Sequence, residues 1–222
     1  MTDTASDGRR YKGLPAEVRR DERRDRFLDA ALTVAARDGV AAVSARSLCA
    51  EAGLHARYFR EAFVSSDQAL EEAFDGVTVD VMHTVSEAIA AIAPDAPDAV
   101  VRRVSAGVHS SLAAIERDPR RAALLSFADV HPGLRARREA LIDLLADAMA
   151  AQAREILDDP PTAEDALLAA RLIALGALNL GVAALSGRGG VEVSRVAEVV
   201  VASILSNREL ASVLRQVRGV AG

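Results

Sequence analysis

The segment SARSLCAEAGLHARYFREAF, Ser44–Phe63, carries more information than any other part of this 222-residue chain. Ser44 suits the N-cap of a short helix ending at Ala52, Gly53 suits a turn, and a second short helix fits His55–Ala62. Two helices held at a steep angle need a glycine with free φ between them and small or aliphatic side chains where they touch. Leu48, Cys49 and Ala52 meet that need from the first helix, and Leu54, Phe59 and Phe63 from the second. His55, Ala56, Arg57, Tyr58 and Arg60 are then left facing outward. This is the pattern of a helix-turn-helix, in which the N-terminal part of the second helix meets base edges in a major groove.

On the N-terminal side, Phe27, Leu28, Ala31, Leu32 and Ala35 mark one face of a helix that starts near Ala16 and stops at Gly39. Residues 1–15 are polar, interrupted by Gly8, Gly13 and Pro15, and read as a disordered basic arm. On the C-terminal side Ser65, Ser66 and Asp67 offer a cap for a long helix reaching about Ala91. Further helices fit about 97–117, 120–129, 133–157, 162–186 and 192–218, separated by proline and glycine breakers such as Asp118-Pro119 and His131-Pro132-Gly133. No strand-like alternation is sustained. The expected fold is therefore all-α, about nine helices, with a three-helix helix-turn-helix domain over 16–65 and a helical domain over 66–222.

Composition narrows the function classes. Half of the residues are apolar but only 3% aromatic, which suits packed helices better than a sandwich or barrel. Residues 1–60 hold 12 basic and 9 acidic side chains, a net of +3, whereas residues 61–222 hold 15 and 23, a net of −8. A basic end on an acidic body fits a phosphate-contacting module attached to something that stays off nucleic acid. One cysteine, Cys49, excludes an internal disulfide framework, and the polar N-terminus has no apolar signal segment, so a cytoplasmic setting is expected. Ala166–Leu185 is the best candidate membrane span, but Arg171 interrupts it and it is rich in Ala and Gly; it reads as a buried helix with no membrane partner.

The stretch from Arg26 to Leu70 resembles the DNA-binding domain of the tetracycline-repressor (TetR) family. The matching pieces are the FLDAAL helix, the helix-ending DGV, the hydroxyl at Ser44, the AGL turn and Phe63. The later Asp118–Leu141 stretch is similar to ligand-domain helices of many actinobacterial members. The resemblance implies a DNA-binding regulator, usually a repressor, that binds a pseudo-palindromic operator as a homodimer. It places Ser44 and Arg46 near phosphate and His55, Ala56, Arg57 and Tyr58 at base-reading positions. Arg9, Arg10, Lys12, Arg19, Arg20, Arg23 and Arg24 are expected to reach along the DNA backbone or into a minor groove. The chain departs from the family where Arg60 replaces a usual Tyr, Ala62 a frequent His, and Ser66 a usual Lys or Arg. Those departures keep a second reading open, a ligand-binding or scaffolding protein of the same fold without ordinary operator binding.

The remaining residues fit no catalytic pattern. There is no CxxC, no HExxH and no nucleophile motif, and the four histidines show no i, i+3 or i+4 pairing, so no enzyme, metal or cofactor is expected. Leu167–Leu185 is apolar on every side, which points to a helix packed on its own core and on a partner subunit. Residues 162–186 and 192–218 are the expected dimer bundle, with Leu178 and Gly181 at its seam. An effector cavity is expected among residues 70–157 and the next helix, lined by Met82, His83, His109, Leu112, Phe127, Met149 and Asn179. Such a lining favours a small apolar or amphipathic molecule. Arg102, Arg103, Arg120 and Arg121 are expected to face solvent.

Overall fold

The apolar spacing around Phe27 does form one helix, α1 (Ala16–Asp38), in the computed structural model of the chain, which describes residues 16–188 and 190–220. The helix stops at Gly39, whose φ of 86° and ψ of 161° lie in a region that is essentially glycine's alone. After a 3₁₀ turn at Val40–Ala42 comes α2 (Ala45–Ala52). Ser44 and Ser47 cap its start reciprocally: each hydroxyl accepts a hydrogen bond from the other residue's backbone N–H. Gly53, at φ 62° and ψ 35°, closes α2 in the left-handed region and turns the chain toward α3 (Ala56–Ala62). Phe27 meets Phe59 and Phe63 edge-on, with ring centroids 5.4 and 6.1 Å apart. With buried Val34 and Leu48 these rings form the core of the three-helix unit.

The rest of the chain is helical as expected: α4 (Ser66–Ala90), α5 (Ala99–Glu116), α6 (Pro119–Ser126), α7 (Pro132–Ile156), α8 (Ala163–Leu185), α9 (Val193–Ser206) and α10 (Leu210–Val220). Caps fall at the breakers. Asp118 and His131 N-cap α6 and α7, each with a proline at the first helical position, where its missing N–H costs nothing. The final helix expected over 192–218 is interrupted by a 3₁₀ turn at Asn207–Glu209. There the Asn207 amide donates to the Ser203 carbonyl and offers the backbone an alternative to continuing the helix. α4 packs chiefly on α5, α7 on α8, and α9 on α5 and α8. One apolar core runs from the three-helix unit through α4 and α6, and a small second one joins α7 to α8 through Ala146, Ala150, Ala166 and Ala170.

Charged struts brace these contacts, and two of them correct the sequence reading. Arg120 does not face solvent: its guanidinium sits 2.8 Å from Asp29 and 2.7 Å from the Thr33 hydroxyl on α1 while also pairing with Asp118. Arg121 likewise turns inward, 2.5 Å from Asp80 on α4. α6 is short and packs on α1, α5 and α8, which draws both arginines of its first turn toward acidic partners; Arg102 is exposed as expected. The hydrogen bonds from Arg120 hold the Asp118 carboxyl below the usual carboxylate range. A lowered folded-state value means that this contribution is complete above about pH 4 and is lost as pH falls below it. Asp118→Asn is expected to lower stability at pH 7 by about 1 kcal/mol, allowing for partial exposure, and to flatten the decline between pH 5 and pH 3 in urea melts. An unchanged acid slope would show that the strut adds nothing.

Candidate nucleic-acid interface and effector cavity

α3 presents the expected surface. His55, Ala56, Arg57 and Arg60 are exposed, and Arg57 and Arg60 lie one turn apart on the same side. Tyr58 is half-buried rather than fully outward, and both Arg57 and Arg23 of α1 lie over its ring, 4.7 and 4.6 Å from the centroid. Tyr58 thus steadies Arg57 from below, and Glu61, 4.0 Å from the Arg57 side chain, steadies it laterally. Arg46 and Arg60 are exposed and form no ion pair with the described residues. Ser44 is exposed, but its hydroxyl is engaged in capping α2. The Cys49 thiol, half-buried between the helices, is pushed up by burial, which keeps it protonated and unreactive.

The arginines of α1 serve the motif itself. Arg20 donates to the Glu61 carbonyl at 3.3 Å, and Arg24 donates to the Ala62 carbonyl and pairs with Glu72 of α4. Arg26 donates to the Ala52 carbonyl at 2.5 Å. Cations on the last carbonyls of α2 and α3 satisfy orphan acceptors and oppose the helix dipoles. Arg20, Arg23 and Arg24 thus each contact the recognition helix or the residue that ends it. Their spacing from Phe27, three, four and seven residues, puts them on its side of α1, a signal present in the sequence but outweighed by their charge. Arg9, Arg10 and Lys12 lie outside the described residues.

The expected effector residues are dispersed. His83 is exposed beside Glu87 at 3.5 Å, and His109 is exposed with its ring against the Ser105 carbonyl at 2.7 Å. Phe127 packs on the main core, Leu112 abuts Gly181, and Met82 is half-buried on α4. Asn179 accepts from Arg138 at a small polar pocket between α6, α7 and α8 that also includes Ser126 and Arg188. Met149 alone of the set lines an apolar cleft of about 110 Å³ between α5, α7, α8 and the α9–α10 corner. Among the described residues no group of three or more His, Cys, Asp or Glu is placed to hold a metal.

No family model matches the chain, and no curated protein matches it. Solved structures do. A TetR-like transcriptional regulator from Rhodococcus sp. RHA1 superimposes with a TM-score of 0.66 at 17% identity, over 94% of this chain and 99% of that one. The chain has the TetR fold. SmeT, the repressor of the Stenotrophomonas maltophilia multidrug efflux pump SmeDEF, matches with a TM-score of 0.64 at 18% identity over 82% of this chain and 88% of its own. The fatty acid degradation regulator FadR from Bacillus halodurans matches at 0.62 and 15%, over 82% and 94%. The likeness spans these bacteria alike and does not single out an actinobacterial type.

Within the TetR fold, Leu178 and Gly181, expected at a dimer seam on α8, are turned toward the chain's own core. Leu178 packs on the main core and buried Gly181 sits 3.0 Å from Leu112, reckoned from the position a Cβ would take, so both face the chain's own interior. Leu168, Leu172 and Leu175 are instead 59%, 74% and 40% exposed, at i, i+4 and i+7. α8 is long and apolar enough to cross a membrane by length and composition, and only 28% of its apolar window is buried inside the chain. An all-apolar helix does not reveal which of its sides faces its own core; in the fold that side is marked by buried Gly181 against Leu112. Ser66, where the family usually has a cation, is the half-buried first residue of α4.

Proposed function

We propose that the chain is a ligand-responsive, DNA-binding transcriptional regulator that acts as a homodimer on a pseudo-palindromic operator, usually to repress. The observation that carries this reading is the exposed set Arg46, Arg57 and Arg60 on a correctly turned helix-turn-helix whose recognition helix is clamped at its C-terminal end by α1. Base edges are met by His55, Ala56, Arg57 and Tyr58, and phosphates by Ser44, Arg46 and Arg60. Residues 16–65 serve as the DNA-binding domain and 66–222 as the ligand-binding and dimerisation domain. The dimer forms through 162–186 and 192–218, where the stripe Leu168, Leu172 and Leu175 needs a cover. SmeT, a repressor, and FadR, a fatty acid degradation regulator, share the fold and support the same class; the reading includes no enzyme activity, no cofactor and a cytoplasmic setting. A small apolar or amphipathic effector would favour the conformer whose helix spacing mismatches the operator, and so release DNA.

The second reading, a scaffold or ligand-binding protein without operator binding, is favoured by one observation: no cation stands in for Ser66 at the start of α4. A gel shift against the DNA upstream of the protein's own gene separates the two. Specific retention supports the regulator; binding no tighter than to unrelated DNA supports the scaffold. Within the regulator reading, Arg57→Ala is expected to cost about 1–3 kcal/mol and relax preference at one base position per half-site. Arg60→Ala is expected to weaken all sequences alike and to reduce the salt dependence. An unchanged base preference in Arg57→Ala would remove that residue from the readers.

A further inference from the structure

We propose that the cleft between α5, α7, α8 and the α9–α10 corner binds an anionic amphiphile with an aliphatic chain, its acid group held by Arg208 and its tail laid along the alanines of α7 and α8. The proposal rests on the ligand-responsive reading above and specifies the effector's class and place. Every side chain lining the cleft is apolar except Gln152, Asn207 and Arg208, and no carboxylate lines it. The space exists because the facing turns of α7 and α8 carry Ala150, Ala153, Ala166, Ala169 and Ala170, where larger aliphatic residues would fill it. Its apolar walls offer a tail dispersion contacts and little competition from water.

Charge selects the head group. Arg208 is exposed and makes no ion pair with the described residues. Two carboxylates of the segment that borders the cleft are committed elsewhere, Asp159 to Arg215 at 2.6 Å and Asp165 to Arg218 at 2.5 Å, and neither Glu209 nor any other carboxylate lines the cleft. Asp158 is exposed and does not line the cleft. Those two pairs also tie α10 to the segment carrying Pro161 and Ala166, which fixes the cleft on the side of Leu210. A lone guanidinium beside an aliphatic trough suits a carboxylate at the end of a hydrocarbon chain, rather than a sugar, which would find few polar partners, or a cation, which Arg208 would repel.

The test is calorimetric titration of the full-length protein with dodecanoate, dodecanol and dodecyltrimethylammonium, each below its micelle concentration. Dodecanoate is expected to bind, dodecanol about tenfold more weakly, and the cation not at all. Arg208→Gln is expected to reduce dodecanoate to the level of dodecanol, and Ala169→Phe, which fills the cleft, to abolish both; unchanged circular dichroism establishes that each variant is folded. The proposal is overturned if dodecanoate does not bind, if the three amphiphiles bind alike, or if neither variant alters binding. The titration contains no DNA, so its failure leaves the regulator reading standing, and failure to retain an operator would leave this cleft's ligand standing.

Discussion

Leu172→Arg is expected to convert the protein to a monomer and to weaken operator binding by roughly 10²- to 10⁴-fold. Leu172 is 74% exposed on α8, between Leu168 and Leu175 on the same stripe. In a single chain an arginine there would be solvated and would cost the fold little. In a two-fold dimer the two arginines would face one another across the seam, buried and alike in charge, a penalty of several kcal/mol that no pairing relieves. The loss of DNA affinity follows from arithmetic: a dimer presents the second recognition helix at a high effective concentration once the first is bound, and a monomer forfeits that gain. Analytical ultracentrifugation gives the assembly state and anisotropy gives the affinity. A variant that remains dimeric, with wild-type operator affinity, would place the seam elsewhere.

Phe27→Ala is expected to destabilise the protein by about 3–5 kcal/mol and to lower its Tm by roughly 10 °C. Phe27 has no exposed surface and touches Phe59 of the recognition helix and Phe63, which ends it. Removing the ring leaves a cavity that α1, α2 and α3 cannot close, because the cations of α1 fix the far ends of α2 and α3 to it. Operator binding should fall with it even at temperatures where the body of the protein is intact, since the three-helix unit loses its centre. Leu168→Ala, at an exposed site, serves as the control and should change the stability of the isolated chain by less than about 0.5 kcal/mol. Equal losses in the two variants would mean that the Phe27 cluster is not the unit's main source of stability.

What the chain shows before folding depends on how local the cause is. Gly39 and Gly53 have the conformations that their neighbours call for, because a helix stop and a tight turn are settled within a few residues. Ser44 and Ser65 cap as expected for the same reason. Long-range partners were not legible. Arg120 and Asp29 are far apart in the chain, and nothing near Pro119 announces that α6 will be wedged against α1. The cleft proposed for the effector draws on α5, α7, α8, α9 and α10, elements far apart in the chain, which a list of apolar residues such as Met82, Leu112 and Phe127 cannot reveal. The arginines of α1 show a subtler limit. Charge suggested phosphate and gave no sign that Arg20 and Arg24 also donate to carbonyls at the end of the recognition helix.

The most direct test of a dimeric, sequence-reading regulator is selection of bound duplexes from a random-sequence DNA library by the purified protein, with the stoichiometry of the selected complex measured by sedimentation. Two chains per duplex and an enriched pseudo-palindrome whose half-sites are centred about one helical turn apart, roughly 34 Å, are the predicted result. Retention of all sequences alike, with an affinity that vanishes as salt is raised and no enriched motif, would contradict it.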